Sequence, residues 1–591
     1  MTSVDRLERV TENCEVTAIR TTVAGQTQCK HPREAGMTKA TLILRGGKVA
    51  SPSAHGGFAE AVAIAEGTIL AVGTNDEIDA LSSSSTRVVN LAGRLALPAF
   101  GDAHVHAVSA GLESLRCNLL GLRTRQECLD RIALYAAGLP ADAWVLGGGW
   151  ALEAFPGGVP NAADLDSVCG GRPAFLPNKD HHSAWVNTIA LELGGVNATT
   201  PDPFAGRIER DEQGNPTGAL HDSAMGLVVR ALPPTSPEDL TKGLRAALKR
   251  LHSHGITHWQ DACVGDAGEL GIPDTFDAYV TAEREGWLTA RVRAALWWDR
   301  ARGIEQLAYF QTRREIASNG KFRATSVKMM VDGVCETFTA AMSKAYLGDP
   351  GHGGTHRGDL FIEVEQLSDA TYTLDANGFQ VHFHAIGDRA IATALDAIEG
   401  VGEQRWGLNR HHIAHLQFIA PNDLDRFGRI GAIGNFQPLW ACNDPQMEDL
   451  TIPFVGEERS GWQYSIQSLL ERNARIAFGS DWPVSSPDPL QEMHVAVNRM
   501  LSTALGNPGT DETTKPFRPD QGLSVQSAVE AFTKGVAYVN GDEDILGVLE
   551  VGRQADVAVL SHDIFSIPTA EIGYAAVDLT LAGGAVVHGD E

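Results

Sequence analysis

Through the middle of the chain, short apolar runs alternate with stretches of helical period, while both chain ends carry strand patterns that no helix separates. The central runs are residues 95–104, 257–261, 290–297, 325–332, 379–384, 412–417, 433–438 and 475–481. Apolar runs of that length alternating with amphipathic stretches are the signature of βα units and a parallel sheet, and eight of them fit a closed (β/α)8 TIM barrel. The span exceeds the roughly 250 residues such a barrel needs. The excess falls mainly after the first strand, as an insert at about residues 112–235 with a hairpin pattern at 206–218. The insert is expected to cover the active-site face.

At the front, strand patterns occur at 41–49, at 61–72 with a Glu66-Gly67 break as in a hairpin, and at 88–91; at the back they return at 555–560 and 577–587. Strands at both ends of an α/β middle predict one small β domain assembled from the two termini. The division expected is an extension at 1–39, the first part of a β-sandwich at 40–97, the barrel with its insert at 98–540, and the second part of the sandwich at 541–591. Residues 1–36 are polar and aperiodic, so they read as a disordered extension or as sequence preceding a true start at Met37. The intact mass of protein made from its native upstream sequence separates the two.

Composition narrows the class. With 591 residues, 43% of them apolar, the chain can bury a large core. A formal charge of −26 argues against nucleic acid or an anionic membrane as partner. The eight cysteines are scattered with no close pair, which fits a reduced, cytoplasmic setting. Neither a secretory signal nor a run of about 18 apolar residues is present. The partner expected is a small molecule; a homodimer is allowed.

The chemistry sits where the apolar runs end. The first breaks into Gly101-Asp-Ala-His-Val-His106, with His104 and His106 two residues apart, and strand residues i and i+2 point the same way. With 20 histidines in 591 residues, about 0.7 such spacings arise by chance. The chain has three. One, His252 and His254, ends an amphipathic helix before Gly255; i and i+2 diverge on a helix, so this pair reads as an exposed helix end. The third, His382 and His384, alternates along a strand that stops at Gly387-Asp388.

Further strand ends supply Lys328, His415 and Asp481. Histidine and carboxylate are ordinary ligands of zinc and similar divalent metals. Lys328 lies in an apolar run, where poor solvation lowers an ammonium pKa; its alternative is an ion pair with Asp332 or another acid. Asp481 ends the buried run at Gly-Ser-Asp, an expensive place for an idle carboxylate. Each histidine singly suits a hydrogen-bonded core, but together at successive strand ends they point to a metal.

These motifs, with Val327-Lys-Met-Met-Val-Asp-Gly-Val334, His412-Ile-Ala-His-Leu-Gln417, Asp180-His-His-Ser-Ala-Trp-Val-Asn187, Thr217-Gly-Ala-Leu220 and 546–560, resemble the metal-dependent amidohydrolase superfamily, in particular amidohydrolase family 3, which includes N-substituted formamide deformylases. The resemblance spans nearly all of residues 40–591. It implies a distorted (β/α)8 barrel with a composite β-sandwich. It also implies a carboxylated Lys328 bridging two metal ions, with His104, His106, His384, His415 and Asp481 as the other ligands; His384 is preferred to His382 because it is nearer the strand end. Two departures stand out: Ala414 replaces a usual Glu before the strand-six histidine, and Trp440 replaces a usual His after Gln437-Pro438.

The activity expected is hydrolysis of a C–N bond in an N-substituted amide or formamide, by hydroxide that a divalent metal makes available near neutral pH. Asp481 would carry the proton from water to the leaving nitrogen. His182 is either an oxyanion or substrate-orienting group or a plain loop histidine. Trp150, Trp185, Gln437, Trp440 and Trp482 lie in or beside the motifs and suit a pocket for an apolar or aromatic amide; the tryptophans suit core packing equally. The alternatives are a cyclic amidase or esterase on the same site, and a non-catalytic metal-binding regulatory protein.

Overall fold

The eight central runs form one all-parallel sheet in chain order: β1 (Phe100–Val105), β2 (Ile256–Val264), β3 (Arg291–Trp297), β4 (Phe322–Met330), β5 (Gln380–Ala385), β6 (His412–His415), β7 (Ile433–Phe436) and β8 (Arg475–Phe478). The computed structural model describes residues 38–204, 206–348, 354–505 and 515–590. The expected extension at 1–39, with the choice of Met37 as a start, falls almost entirely outside the described residues. β1, β2 and β5 to β7 are buried along their whole length, as strands covered on both faces must be.

The sheet curls until its first and last strands meet just past the end of β8, where Asp481 N–H donates to His104 C=O (2.7 Å) and His106 N–H to Trp482 C=O (3.0 Å). Gly479 permits the approach: a Cβ there would lie 2.4 Å from His104 N and 2.9 Å from Asp102 Oδ1. The Asp102 carboxylate locks the seam, accepting from His104 N–H, Ser480 N–H and Ser480 Oγ–H. Closure of the barrel therefore sets the first-strand histidines against Asp481.

The run expected as one strand at 95–104 is two. Leu95–Pro98 pairs antiparallel with Val557–Leu560 and parallel with Leu42–Ala50, and only from Phe100 does the chain enter the barrel. Ala99 N–H bonds to Asp556 C=O and Phe100 N–H to Gly255 C=O, so the handover takes two residues. Both segments are buried, and a continuous apolar run cannot mark the point where one sheet gives way to another.

The chain ends build one eight-stranded sheet, ordered Ala585–His588, Val577–Ala582, Val557–Leu560, Leu95–Pro98, Leu42–Ala50, Phe58–Ala65, Thr68–Gly73, with Arg87–Asn90 also paired to Leu42–Ala50. Leu44, Val62 and Ile64 from the front share an apolar cluster with Val557, Val559 and Leu579 from the back.

β1 leads through His106 into α1 (Ala107–Ser114), which packs on α2 (Pro237–Ser253). α2 starts on the Ser236 side-chain cap with Pro237 in its first turn, and buries Leu240, Leu244, Ala247, Leu248 and Leu251 on one face. A Cβ on Gly111 would lie 2.0 Å from Gly243 C=O, so two glycines set the closeness of the helices.

Between α1 and α2 the insert folds as a third, six-stranded sheet, with the expected hairpin formed by Gly206–Arg210 and Pro216–Asp222. At the end of α2 the His252 ring is 3% exposed, not at an exposed helix end; its Nδ1–H donates to Ile256 C=O (2.9 Å) and its Nε2 accepts from Thr289 Oγ (2.7 Å). Periodicity gave α2 its end but not the β2–β3 edge that covers it. Among the described residues, no helix is long and apolar enough to cross a membrane, and six cysteines are free and buried.

Candidate metal centre

His104, His106, Lys328, His384, His415 and Asp481 converge at the C-terminal end of the barrel and line one cavity. The Asp481 carboxylate is the hub. Its Oδ1 lies 3.3 Å from His104 Nε2 and 3.1 Å from His106 Nε2, and its Oδ2 3.9 Å from His415 Nδ1. His104, His415 and Asp481 each offer a ligand atom within 4.8 Å of the others. Lys328 Nζ is 3.5 Å from His104 Nε2. The alternative partner for that lysine, Asp332, is otherwise engaged: it accepts from the Ala341, Ile386 and Gly387 N–H groups.

The backbone is bent to make this convergence. His415 and Asp481 both have left-handed φ, +77° and +54°, a conformation that costs a non-glycine residue about 1–3 kcal/mol and collects at functional positions. Buried polar atoms are left without hydrogen-bond partners here, namely His106 Nδ1, His384 Nδ1 and Asp481 Oδ1. A cation would answer the deficit at Asp481 Oδ1, whereas His384 Nδ1 lies 3.4 Å from Asp332 Oδ1.

Protonation states suit ligation. Burial and the positive charge of Lys328 push His104 down to about 3, and burial holds His384 and His415 well below the ordinary imidazole value, so all three offer lone pairs at neutral pH. Burial opposes ionisation of Asp481, and positive charge at His104 and His106, or a cation in that place, holds the carboxyl well below its usual range. Burial lowers the Lys328 ammonium to about 8.

Beneath the cavity a polar layer fixes the tautomers. Gln260 Nε2 donates to Gln380 Oε1, which turns Gln260 Oε1 toward His382 Nδ1–H (2.7 Å) and His412 Nε2–H (2.9 Å). His382 must then accept at Nε2 from His104 Nδ1–H (2.8 Å), leaving His104 Nε2 bare toward Asp481 and Lys328. Gln437 does the same for His415, whose Nδ1–H donates to Gln437 Oε1 (2.8 Å). Thus His384 lines the cavity, whereas His382 is tied at both ring nitrogens one layer below.

The insert contributes His182, which lines the cavity 5.6 Å, ring to ring, from His384. Its Nδ1 lies 2.6 Å from Asp222 Oδ1; burial opposes the charge, but Asp222 prevails and raises the imidazole to about 9. Trp440 also lines the cavity and stacks flat on His415 at 5.2 Å and 11°.

The other expected pocket residues lie elsewhere. Trp150 and Trp185 are fully buried in the insert's own core with Phe155, held by Nε1–H bonds to Leu176 C=O and Asn161 C=O. Trp482 packs in the main core, and Gln437 meets His415 rather than the cavity. The insert needed large apolar residues for a core of its own, which motif proximity cannot show. Asp222, Gln260, Cys263 and Trp297 carried no sequence signal of their own.

The sequence profile of the amidohydrolase family matches residues 87–588, which include every residue named at the centre. The chain belongs to the amidohydrolase family. As such it is a metal-dependent hydrolase acting on C–N bonds. This amidohydrolase is 30% identical to Protein LONG AFTER FAR-RED 3 of Arabidopsis thaliana over 550 residues, 92% of this chain and 91% of that one. It is 26% identical to the N-substituted formamide deformylase of Arthrobacter pascens, over 90% and 95% of the two chains. Among solved structures, an uncharacterized metal-dependent hydrolase of Pyrococcus horikoshii OT3 superposes with a TM-score of 0.67 at 25% identity, covering 89% of this amidohydrolase and 99% of that chain.

Proposed function

We propose that this amidohydrolase cleaves an N-substituted amide or formamide with an apolar or aromatic substituent, at a centre where His104, His106, Lys328, His384, His415 and Asp481 hold one or two divalent ions, zinc first among them. The observation that carries the reading is the Asp481 carboxylate, ionised, buried and reached by three imidazoles while one of its oxygens has no hydrogen-bond partner. A divalent ion bound there supplies Lewis acidity for a carbonyl and makes hydroxide available near neutral pH.

The protein's own groups perform the rest. Asp481 accepts the proton of the attacking water and returns it to the leaving nitrogen, so the C–N bond breaks as an amine departs. His182, kept protonated by Asp222, donates toward the developing oxyanion. Trp440, flat against His415, gives the substituent an apolar wall. The lowered Lys328 amine is free in part near neutral pH, which supports its reaction with carbon dioxide to a carbamate, releasing a proton and adding an anionic oxygen pair to the ligand set. Six buried free thiols agree with a cytoplasmic setting.

The test is a panel of N-alkyl and N-benzyl formamides and acetamides given to zinc-loaded protein, with release of the acid and the amine both measured. Turnover of at least one N-substituted amide, absent in Asp481→Asn, is expected. Turnover confined to esters would overturn the substrate class.

A further inference from the structure

A second chamber adjoins the metal-centre cavity; Ser109, His181, Leu270 and Ile272 line both. One side is a face of α1 and the residues just past it: Ser109, Leu112, Glu113 and Arg116 recur at helical spacing, so all reach the same space. The facing walls come from the insert, with Leu146 and Phe175, and from Leu232 ahead of α2.

The chamber pairs apolar walls with the polar Ser109, Glu113, His181 and Thr235, and one cation is left over. Glu113, 9% exposed, has its Oε2 3.3 Å from His181 Nε2. Burial opposes the charge on His181, but Glu113 prevails and raises that imidazole above its ordinary value, so this pair is close to neutral overall. Arg116 is half-buried in the chamber wall. It feels Tyr135, Asp239 and Glu113 electrostatically, but its guanidinium takes no side-chain hydrogen bond or ion pair among the described residues. A guanidinium drawn partly out of water with no carboxylate in contact is an anion receptor, since its planar fork matches a carboxylate in two parallel bonds.

We propose that this chamber receives the part of the substrate remote from the scissile bond, and that Arg116 selects substituents built as an apolar spacer ending in a carboxylate. The proposal deepens the reading of the chain as an N-substituted amide hydrolase and rests on it for the reaction. The binding it asserts is measurable without turnover. Leu112, Leu146, Phe175 and Leu232 enclose the spacer, and Arg116 meets its charged end.

The experiment titrates 4-phenylbutyrate and, separately, the isosteric neutral 4-phenylbutyramide into zinc-loaded protein by calorimetry. Wild type is expected to bind the carboxylate at least tenfold more tightly than the amide, Arg116→Met to lose the difference, and Arg116→Lys to recover part of it. Leu232→Trp, which fills the chamber and leaves Arg116 in place, is expected to weaken the carboxylate at least tenfold. Equal binding of the two probes by wild type, or a preference that survives Arg116→Met, overturns the proposal, the latter by placing the carboxylate on the metal. Should Arg116→Met fail to fold, Arg116→Lys and Leu232→Trp decide it alone: carboxylate binding unchanged in both overturns it. Arg116-dependent binding in a protein that hydrolyses no amide would keep the chamber and discard the reaction.

Discussion

His182 and Asp222 stand 40 residues apart in the insert and meet at 2.6 Å, Nδ1 to Oδ1, at the mouth of a barrel to which neither belongs. The insert thus brings a charged dyad to the candidate metal centre at the strand ends. Because the pair raises His182 from near 6.5 to about 9, its stabilisation is full below pH 6.5 and fades as pH rises through 9, on the order of 3 kcal/mol in all. Turnover is expected to fall with rising pH on a limb near 9, and Asp222→Asn to move that limb down, because burial then acts on the imidazole without its carboxylate. A limb unmoved in Asp222→Asn would remove His182 from the proton account.

Asp481→Asn keeps the size of the side chain and removes its basicity. Turnover is expected to drop by about 10²–10⁴-fold, the range for loss of a general base, while circular dichroism stays native. An active Asp481→Asn would refute the proton-transfer role.

Gln260 touches no cavity surface, yet its Oε1 accepts from both His382 and His412. Gln260→Leu strands two buried donors at about 1–3 kcal/mol each and frees His104 to flip. Thermal unfolding should move down accordingly, and zinc affinity, by competition with a chromogenic chelator, should fall about 10–100-fold. Unchanged affinity would mean that the polar layer serves folding alone.

Trp150→Ala and Trp440→Ala separate core from cavity. The first empties the insert core and should cost about 3–5 kcal/mol of stability. The second removes a half-buried ring stacked on His415 and should raise KM for aromatic substrates with a smaller loss of stability. Denaturant unfolding and steady-state kinetics on both variants check the contrast.

Which of these features could be read in the sequence follows from where the physical signal resides. Strands buried on both faces are short apolar runs between turns, so all eight barrel strands were legible, as were the ligand-type residues at their ends. The handover at Ala99 was not, because Leu97 and Phe100 are equally buried in one apolar cluster although their strands belong to different sheets. Asp222 and Gln260 acquire meaning only from partners 40 and 122 residues away. Trp150 and Trp185 misled because proximity to a motif in sequence says nothing of which core a ring fills. His252 looked exposed for the same reason, since its cover comes from Ile256 and Thr289 beyond the helix.

The proposed metal centre rests on Asp481, the strand-end histidines and Lys328. Elemental mass spectrometry on protein purified without chelator or metal-affinity steps tests it most directly, with Lys328→Ala measured alongside. About two divalent ions per chain are expected, fewer in Lys328→Ala, with zinc restoring turnover lost to a chelator. A well-folded wild type that carries no metal and takes up none on addition of zinc would contradict it.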